Sequence, residues 1–175
     1  METDDFAAVM ASLDTAMIVV TAAAGDERAG CLVGFHSQSG IDPERYCVWL
    51  SKANHTYRVA LRSPHLGIHF LTRDDMQLAE LFGTRTGDDV DKFAGLAVEA
   101  GPDGVPMLLD CASRLVVRRT TLVDENSDHV CVATEAVEVV TSGSFEPLRL
   151  SQTVHLTPGH EAEERHSPPT ERADH

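Results

Sequence analysis

The N-terminal segment carries apolar residues at helical spacing. Positions i, i+3, i+4 and i+7 are occupied by Phe6, Val9, Met10 and Leu13. Because these positions share one face of an α-helix, the pattern predicts an amphipathic helix that begins near Thr3 or Asp4. We expect its apolar stripe to pack on the protein core.

A hairpin is predicted after this helix. The segment from Met17 to Val20 is rich in β-branched residues, and the segment from Gly25 to Arg28 is polar and contains a glycine. These features favour a strand and then a turn. The chain enters a second strand at Gly30, with an apolar part from Cys31 to Phe35. The two strands are therefore expected to pair.

Hydrogen-bonding side chains then interrupt the apolar pattern. They are His36, Ser37, Gln38 and Ser39, directly before Gly40. This cluster predicts a polar turn, and the Asp42–Pro43 pair also disfavours a helix at this point. The run from Tyr46 to Leu50 is continuously apolar, which predicts a strand buried on both faces.

A loop rich in donor groups follows this strand. Its candidate binding residues are Ser51, Lys52, Asn54, His55 and Thr56. The segment from Tyr57 to Arg62 has helical character and ends before Pro64. Because backbone amides and the helix dipole at a helix start both favour negative charge, the loop is predicted to bind an anion.

The rest of the pattern is mostly strand-like. An acidic start at Asp74 and Asp75 and an apolar face predict a third short helix that ends at Gly83. Gly101 to Pro106 is predicted to be a loop. Further strands are predicted for His65 to Leu71, for Leu115 to Val123, for His129 to Val140 and, as one more possible strand, for Phe145 to Leu156. The second and third of these strands are expected to form a hairpin across Asp124 to Asp128.

These elements predict a mostly β fold with short helices, an antiparallel barrel decorated by helices. One domain is expected over residues 1–156. The segment 157–175 has three prolines, few apolar residues and many charges, which predicts a disordered C-terminal tail.

The sequence contains no motif typical of a metal site or of a catalytic nucleophile. His65 and His69 have the even spacing that places both on one strand face, so either they share a ligand or one is exposed and the other hydrogen-bonded; we favour the second alternative. The four cysteines are widely spaced, which favours buried reduced thiols over disulfides or metal ligands. The tail sequence from His160 to His166 lacks the HExxH spacing, and no metal site is predicted.

Composition narrows the functional classes. The chain has 175 residues, 42% hydrophobic content and a formal net charge of −14. Nucleic acids and anionic membranes attract basic surfaces, so neither is an expected partner. The longest apolar run, from Ala16 to Ala24, is too short to span a bilayer, and Glu2, Asp4 and Asp5 do not fit a signal peptide. We expect a cytoplasmic protein.

The order of these features resembles the flavin reductase family, the FMN-binding split β-barrel proteins. The resemblance covers about residues 6–155. Its first part is the strand that starts at Gly30, the Asp42–Pro43 turn, and the loop containing Ser51, Asn54 and Thr56. LAELFG (78–83), DKF (91–93) and SDH (127–129) resemble later features of the family in the same order.

The resemblance implies an FMN-binding homodimer. Ser51, Asn54 and Thr56 would bind the phosphate, with Lys52 and His55 nearby. The isoalloxazine ring would lie along Leu32, Val33, Gly34, Phe35, His36, Ser37 and Gln38. The implied activity is NAD(P)H-dependent reduction of FMN or FAD, which a partner monooxygenase would use, and no catalytic side chain is implied.

The sequence departs from the family pattern at two places. Members usually have Thr and Ser where this chain has Leu32, Gly34 and Phe35. Many reductases also have a histidine near the nicotinamide after a Pro-Leu pair. Ser151 occupies that place here, and His155 is the candidate substrate-binding residue instead.

Two alternatives to a reductase remain at this stage. A split barrel can hold flavin, a deazaflavin or haem without reductase turnover. His36 suggests this hypothesis, since its imidazole would hydrogen-bond a flavin edge, ligate iron or cap the turn. The other alternative is a dimeric barrel without a small-molecule ligand.

Overall fold

The computed structural model describes residues 3–85 and 90–159. Within these residues there are nine strands and four α-helices, with short 3-10 turns at Arg73–Asp75 and Pro102–Gly104. The helices are α1 (Thr3–Leu13), α2 (His55–Ala60), α3 (Met76–Thr84) and α4 (Leu150–Thr153). The strands are β1 (Ile18–Ala24), β2 (Glu27–Val33), β3 (His36–Ile41), β4 (Glu44–Ser51), β5 (His65–Phe70), β6 (Val98–Ala100), β7 (Pro106–Leu108), β8 (Ser113–Val123) and β9 (His129–Val140).

Seven of the strands form one antiparallel sheet in the order β2-β1-β5-β8-β9-β4-β3. The edge strands β2 and β3 are consecutive in the sequence and are joined by only Gly34 and Phe35. Two residues cannot cross the width of a flat sheet. The sheet therefore curls until its edges meet, which gives the predicted antiparallel barrel, split between β2 and β3.

The side chain of His36 forms hydrogen bonds that hold the curled sheet together near this split. Its Nε2 lies 2.7 Å from the carbonyl oxygen of Ala16, and its Nδ1 lies 2.6 Å from the hydroxyl of Tyr46. Because a carbonyl only accepts, Nε2 carries the proton and Nδ1 accepts from Tyr46. The ring thus connects β3 and β4 to the segment that precedes β1.

The predicted polar turn at 36–39 is wrong. These residues belong to β3, which pairs with β4 from His36↔Val48 to Ile41↔Glu44. Their polar side chains are compatible with a strand because β3 is a sheet edge and most of it is exposed. The turn itself lies at Asp42–Pro43, as the pair predicted.

Two large clusters and one small cluster of buried side chains form the core. The first fills the barrel and includes Ile18, Val20, Ile68 and Val132. The second lies between the sheet and α3. Because it sits between the two clusters, β1 is buried on both faces. β4 alternates instead, with Val48 and Leu50 buried and Cys47 and Trp49 partly exposed, so the predicted burial of both its faces is wrong.

The N-terminal helix is confirmed, but its predicted packing is wrong. The apolar stripe of α1 faces away from the core, with Phe6 56%, Val9 58%, Met10 40% and Leu13 63% exposed. Periodicity identifies the apolar face of a helix, and it does not identify what covers that face. The stripe is an exposed apolar surface of this chain.

The C-terminal segment differs from the predicted strand at 145–156. Leu148 bonds to two different segments, donating its N–H to Leu71 and accepting from the N–H of Met17. Pro147 and Arg149 form only isolated bridges, with Thr72 and Ala16. The chain then turns into α4. Because its backbone hydrogen bonds are divided between two different segments, this part of the chain does not form a continuous β-ladder with either of them.

Other predictions can be compared with the structure. The β1–β2 and β8–β9 hairpins are confirmed, and all four cysteines are free thiols. The predicted loop at 101–106 contains a 3-10 turn that connects the paired strands β6 and β7. The sequence from His160 to His166 and most of the predicted tail lie outside the described residues.

The described residues contain neither a membrane-spanning helix nor a cluster of metal-ligating side chains. No helix there is long and apolar enough to cross a membrane. No group of three or more His, Cys, Asp or Glu side chains in the same ranges is arranged to hold a metal ion.

The histidines of β5 have separate partners. His65 Nδ1 lies 2.6 Å from Asp103. His69 is fully buried, with Nδ1 3.2 Å from the Val19 carbonyl and Nε2 accepting the N–H of Leu108 at 3.0 Å. The two side chains thus bond to different parts of the protein. Burial is the largest cause that lowers the pKa of His69, to about 4.

We predict that His69 makes the fold acid-sensitive. The folded pKa lies below the unfolded value, so the stabilisation is complete above about pH 6.5 and is lost as the pH falls toward 4. The loss is on the order of 3 kcal/mol, since each pKa unit corresponds to about 1.4 kcal/mol. Urea unfolding from pH 7.5 to 4.5 measures it. The stability difference between the wild type and His69→Gln should shrink as the pH falls, and parallel curves would contradict the prediction.

Candidate functional site

A cleft of about 620 Å³ opens at the split of the barrel. Small-molecule sites commonly have volumes of about 300–1,000 Å³. One side is formed by β2 and the Gly34–Phe35 connection, and the other by β4 and the start of α2. Parts of α3, α4 and β9 complete it. The cleft thus exists because the two sheet edges meet without pairing along their length.

Part of the cleft lining is apolar. It includes Leu32 and Val33 of β2, Trp49 of β4 and Phe82 of α3. Phe35 is 60% exposed, and its ring packs against His129 with 5.1 Å between ring centroids. These walls suit a flat, largely apolar ring, since aromatic side chains offer extended packing surfaces.

Another part of the lining is polar and basic. It includes Ser51, Asn54, His55 and Arg58, and Arg85 and His129 also face the cleft. Among the described lining residues there is no aspartate or glutamate. In a chain with a formal net charge of −14, this local concentration of cationic side chains favours an anionic ligand.

The loop that joins β4 to α2 is held by its own hydrogen bonds. Asn54 is the N-cap of α2, and its Oδ1 accepts the N–H of Thr56 at 3.0 Å. The Asn54 N–H in turn donates to the Ser51 carbonyl. Ser51 Oγ is buried and makes no hydrogen bond within the described part of the protein. A buried hydroxyl without a partner costs about 1–3 kcal/mol, so a polar ligand atom beside it is favoured.

The cleft therefore fits a flavin nucleotide. Its apolar side chains suit the ring system, and its basic side chains with the Ser51 hydroxyl suit a phosphate. Seven of the predicted binding residues line this one cleft: Leu32, Val33, Gly34, Phe35, Ser51, Asn54 and His55.

Three residues predicted to lie along the ring are elsewhere. Both ring nitrogens of His36 have partners in the barrel closure, so its ring bridges β3 to the segment before β1 and does not cap a turn. Ser37 and Gln38 are exposed, and both hydrogen-bond to nearby backbone carbonyls of β3. These three residues belong to an edge strand that does not line the cleft.

Two predicted phosphate ligands also do not face the cleft. Lys52 Nζ lies 2.8 Å from Asp124, at the turn between β8 and β9. Thr56 is 1% exposed, and its hydroxyl hydrogen-bonds the Cys31 thiol. Its backbone N–H is used by the Asn54 cap. Lys52 and Thr56 thus anchor the loop, while the residues between them line the cleft.

The C-terminal candidate His155 does not line the cleft either. Its side chain is 57% exposed and lies 3.9 Å from Glu80. Ser151 is bound instead to Asp14, which accepts its N–H at 2.8 Å and its hydroxyl at 2.9 Å. These bonds position α4, from which Leu150 and Thr153 line the cleft. The backbone bond from Ser151 is the largest cause that lowers the pKa of Asp14.

Sequence reasoning missed several lining residues. Arg58, Phe82, Arg85 and His129 come from α2, from the end of α3 and from β9. Only Arg58 left a local signal, since it lies three residues after His55 and a helix places such residues side by side. The others reach the cleft through the tertiary fold.

A buried lysine fixes the back of the cleft. Lys92 donates to the carbonyls of Gly30 at 3.0 Å and Phe82 at 3.3 Å, which joins β2 to α3. Burial is the largest cause that lowers its pKa. A Cβ atom at Gly30 would lie 2.6 Å from the Phe82 ring, so a larger residue there would displace a wall of the cleft.

Comparison with known proteins identifies the family. A profile described as the flavin reductase like domain matches residues 10–154. The chain belongs to this family. The family's elements correspond to the split barrel and its cleft, while most of α1 precedes the matched region.

Two curated relatives support the assignment. A ferric-chelate reductase (NAD(P)H) of Archaeoglobus fulgidus is 24% identical over 146 residues, which cover 78% of this chain and 86% of that protein. The high molecular weight rubredoxin of Moorella thermoacetica is 29% identical over 100 residues. That match covers 57% of this chain and spans 44% of the rubredoxin's length.

A solved structure has the same fold. Nitrilotriacetate monooxygenase component B from Mycobacterium thermoresistibile superposes with a TM-score of 0.72 at 17% identity. The match covers 83% of this chain and 79% of that one. At this identity the likeness establishes the split barrel, consistent with the fold predicted from the sequence.

Proposed function

We propose that this protein binds FMN in the cleft and catalyses NAD(P)H-dependent reduction of flavin. The observation that carries the proposal is a single cleft whose lining combines apolar side chains with polar and basic ones and has no carboxylate among its described residues. FAD is the alternative flavin. Family membership and the name of the Archaeoglobus reductase support the same chemistry.

The side chains of the cleft have binding and orienting roles in this proposal. Ser51 and Asn54 hold the phosphate, and the wall from Leu32 to Phe35 packs on the ring together with Trp49. Flavin, when bound, supplies the group that accepts a hydride from the nicotinamide. Because this transfer depends on stacking and orientation, the protein needs no acid or base of its own.

A monooxygenase that uses reduced flavin is the partner we propose. The name of the Mycobacterium structure, a component of a monooxygenase system, supports this suggestion. The cleft is open to solvent on the side of the exposed Phe35 ring. Reduced flavin can leave on that side without a rearrangement of the core.

The second candidate is a flavin-binding protein without reductase turnover. It is favoured by the position of Ser151, which contacts Asp14 and does not line the cleft where many reductases have a histidine. The haem version of this hypothesis relied on His36, whose two nitrogens are both engaged. A deazaflavin, which shares the flat ring, remains within this candidate.

We predict that the purified protein oxidises NADH or NADPH and that added FMN or FAD stimulates the reaction. The decrease of absorbance at 340 nm under anaerobic conditions measures it, since the reduced nicotinamide absorbs there. Ser37→Ala is a matched control, because Ser37 is exposed and outside the cleft, and it should behave as the wild type. If neither nucleotide is oxidised with either flavin but flavin binds, the second candidate is correct.

We predict that Asn54→Asp separates capping from phosphate binding. Aspartate retains an oxygen that caps α2, so stability should stay near the wild-type value, whereas Asn54→Ala should lose about 1 kcal/mol. The added negative charge should weaken FMN by about tenfold or more and riboflavin much less. Quenching of Trp49 fluorescence measures both affinities. Equal effects on FMN and riboflavin would place the phosphate elsewhere.

We also propose that the protein is a homodimer. The exposed apolar stripe of α1 supports an additional contact, because such stripes are rarely left in water. Sedimentation velocity or light scattering at micromolar concentration should give a mass near 38 kDa, about twice the 19.0 kDa of the chain. Leu13→Asp, at the most exposed position of the stripe, should lower the dimer fraction if α1 takes part. A monomer in the wild type would contradict the proposal.

A further inference from the structure

One arginine of the cleft is connected to two side chains behind it. Arg58 Nη2 lies 3.1 Å from His55 Nδ1, and His55 Nε2 lies 3.2 Å from Glu27 Oε1. A guanidinium only donates, so His55 Nδ1 is the acceptor in this contact. The proton of the neutral imidazole is therefore on Nε2 and is donated to Glu27.

The outer end of this chain of contacts is also fixed. The second carboxylate oxygen of Glu27 accepts from Arg62. This bond is the largest cause that lowers the pKa of Glu27, so the group stays a carboxylate. Glu27 begins β2, whereas His55, Arg58 and Arg62 belong to α2 or follow it directly. The contacts thus join the two elements on opposite sides of the split.

Only the inner half of the chain of contacts reaches the cleft. His55 and Arg58 line it, and Glu27 and Arg62 do not. The His55 side chain is 14% exposed, so its ring is held between the carboxylate and the guanidinium with little freedom. An oriented guanidinium loses less conformational freedom when it binds, and its fork of donors matches the oxygens of a phosphate.

We propose that Arg58 binds a phosphate monoester of the ligand, and that Glu27 and His55 are positioning residues that hold its guanidinium in the cleft. This inference rests on the proposed function, since FMN and NADPH each carry such a group. FMN carries it on the ribityl chain, and NADPH carries it at the 2′ position. Arg58 and Glu27 are not among the residues that the family resemblance implied for the phosphate, whereas His55 is.

The role of Glu27 can be tested by whether its removal raises or lowers the affinity for the anionic ligand. If Glu27 acted only through its charge, its removal would strengthen the binding of an anion nearby, since a repulsion would disappear. If Glu27 acts by holding His55, its removal weakens binding. Glu27→Ala and Glu27→Gln separate these cases further, because glutamine keeps an oxygen that accepts from His55 and alanine does not.

The experiment measures affinities in pairs with and without the phosphate. FMN is compared with riboflavin, and NADPH with NADH, by quenching of Trp49 fluorescence. In Arg58→Gln we expect the preference for the phosphorylated member of one pair to fall about tenfold, with the other member changed less than about twofold. The pair that responds identifies the source of the phosphate. Arg45→Gln, the same charge change at a salt bridge outside the cleft, should leave both preferences unchanged.

The positioning residues have their own expected result. Glu27→Ala should lower the same preference by about threefold to tenfold, and Glu27→Gln should recover most of it. The ¹⁵N shifts of His55 should report a proton on Nε2 in the wild type and a mixture of tautomers in Glu27→Ala. Urea unfolding of each variant confirms that it is folded.

The outcomes separate this inference from the proposed function. Unchanged preferences in Arg58→Gln, for both pairs, would overturn the assignment of Arg58 even if flavin binds. A tighter FMN complex in Glu27→Ala would overturn the positioning role. Inorganic phosphate is the probe that needs no flavin. If the wild type binds inorganic phosphate more tightly than Arg58→Gln does but binds neither flavin, the proposed function fails and the assignment of Arg58 stands. Equal binding of phosphate by the two proteins would overturn the assignment of Arg58.

Discussion

The two-residue connection between the edges of the sheet is the constraint from which the rest of the structure follows. β2 and β3 lie at opposite edges, yet only Gly34 and Phe35 separate them. The sheet has to curl, and the backbone of Phe35 continues the β4 contact through a bond from the N–H of Trp49. His36 then secures the closure by its bond to Ala16. A barrel closed by a full ladder at this point would have no cleft here.

The basic lining of the cleft is opposite in sign to the net negative charge of the whole chain. Among the described residues, two carboxylates that do not line the cleft contact its histidines, Glu27 at His55 and Asp128 at His129. Asp124 is paired with Lys52 on the other side of the loop. Acidic groups thus orient the basic ones without lining the cleft. Long-range repulsion of an anionic ligand by the remaining acidic surface is reduced by salt, while short contacts in the cleft are not.

The features that the sequence predicted correctly are each formed by residues close together in the chain. They are the hairpins, the first three helices and the loop containing Ser51 and Asn54, and each depends on local propensities. The incorrect predictions had a common origin. The polar cluster at His36 fits a turn or an edge strand equally well, and the stripe of α1 fits a buried or an exposed helix. Arg85, Phe82 and His129 come together only after the sheet has curled, so no local pattern marks them.

The alternation of a single strand connects the apolar and the basic parts of the cleft lining. Along β4, Trp49 and Ser51 line the cleft, while Val48 and Leu50 belong to the core, and Leu50 also reaches the cleft wall. A shift of one residue would exchange the two faces, so that Val48 and Leu50 would lose their core contacts and Ser51 would lose its place in the cleft. The register of β4 against β9, in which Trp49 pairs with Cys131 and Ser51 with His129, is therefore fixed by the barrel core. The same register positions the apolar wall at Trp49 and the start of the basic loop at Ser51. The distance between them is therefore set by the geometry of β4, and the loop determines only where its last side chains lie.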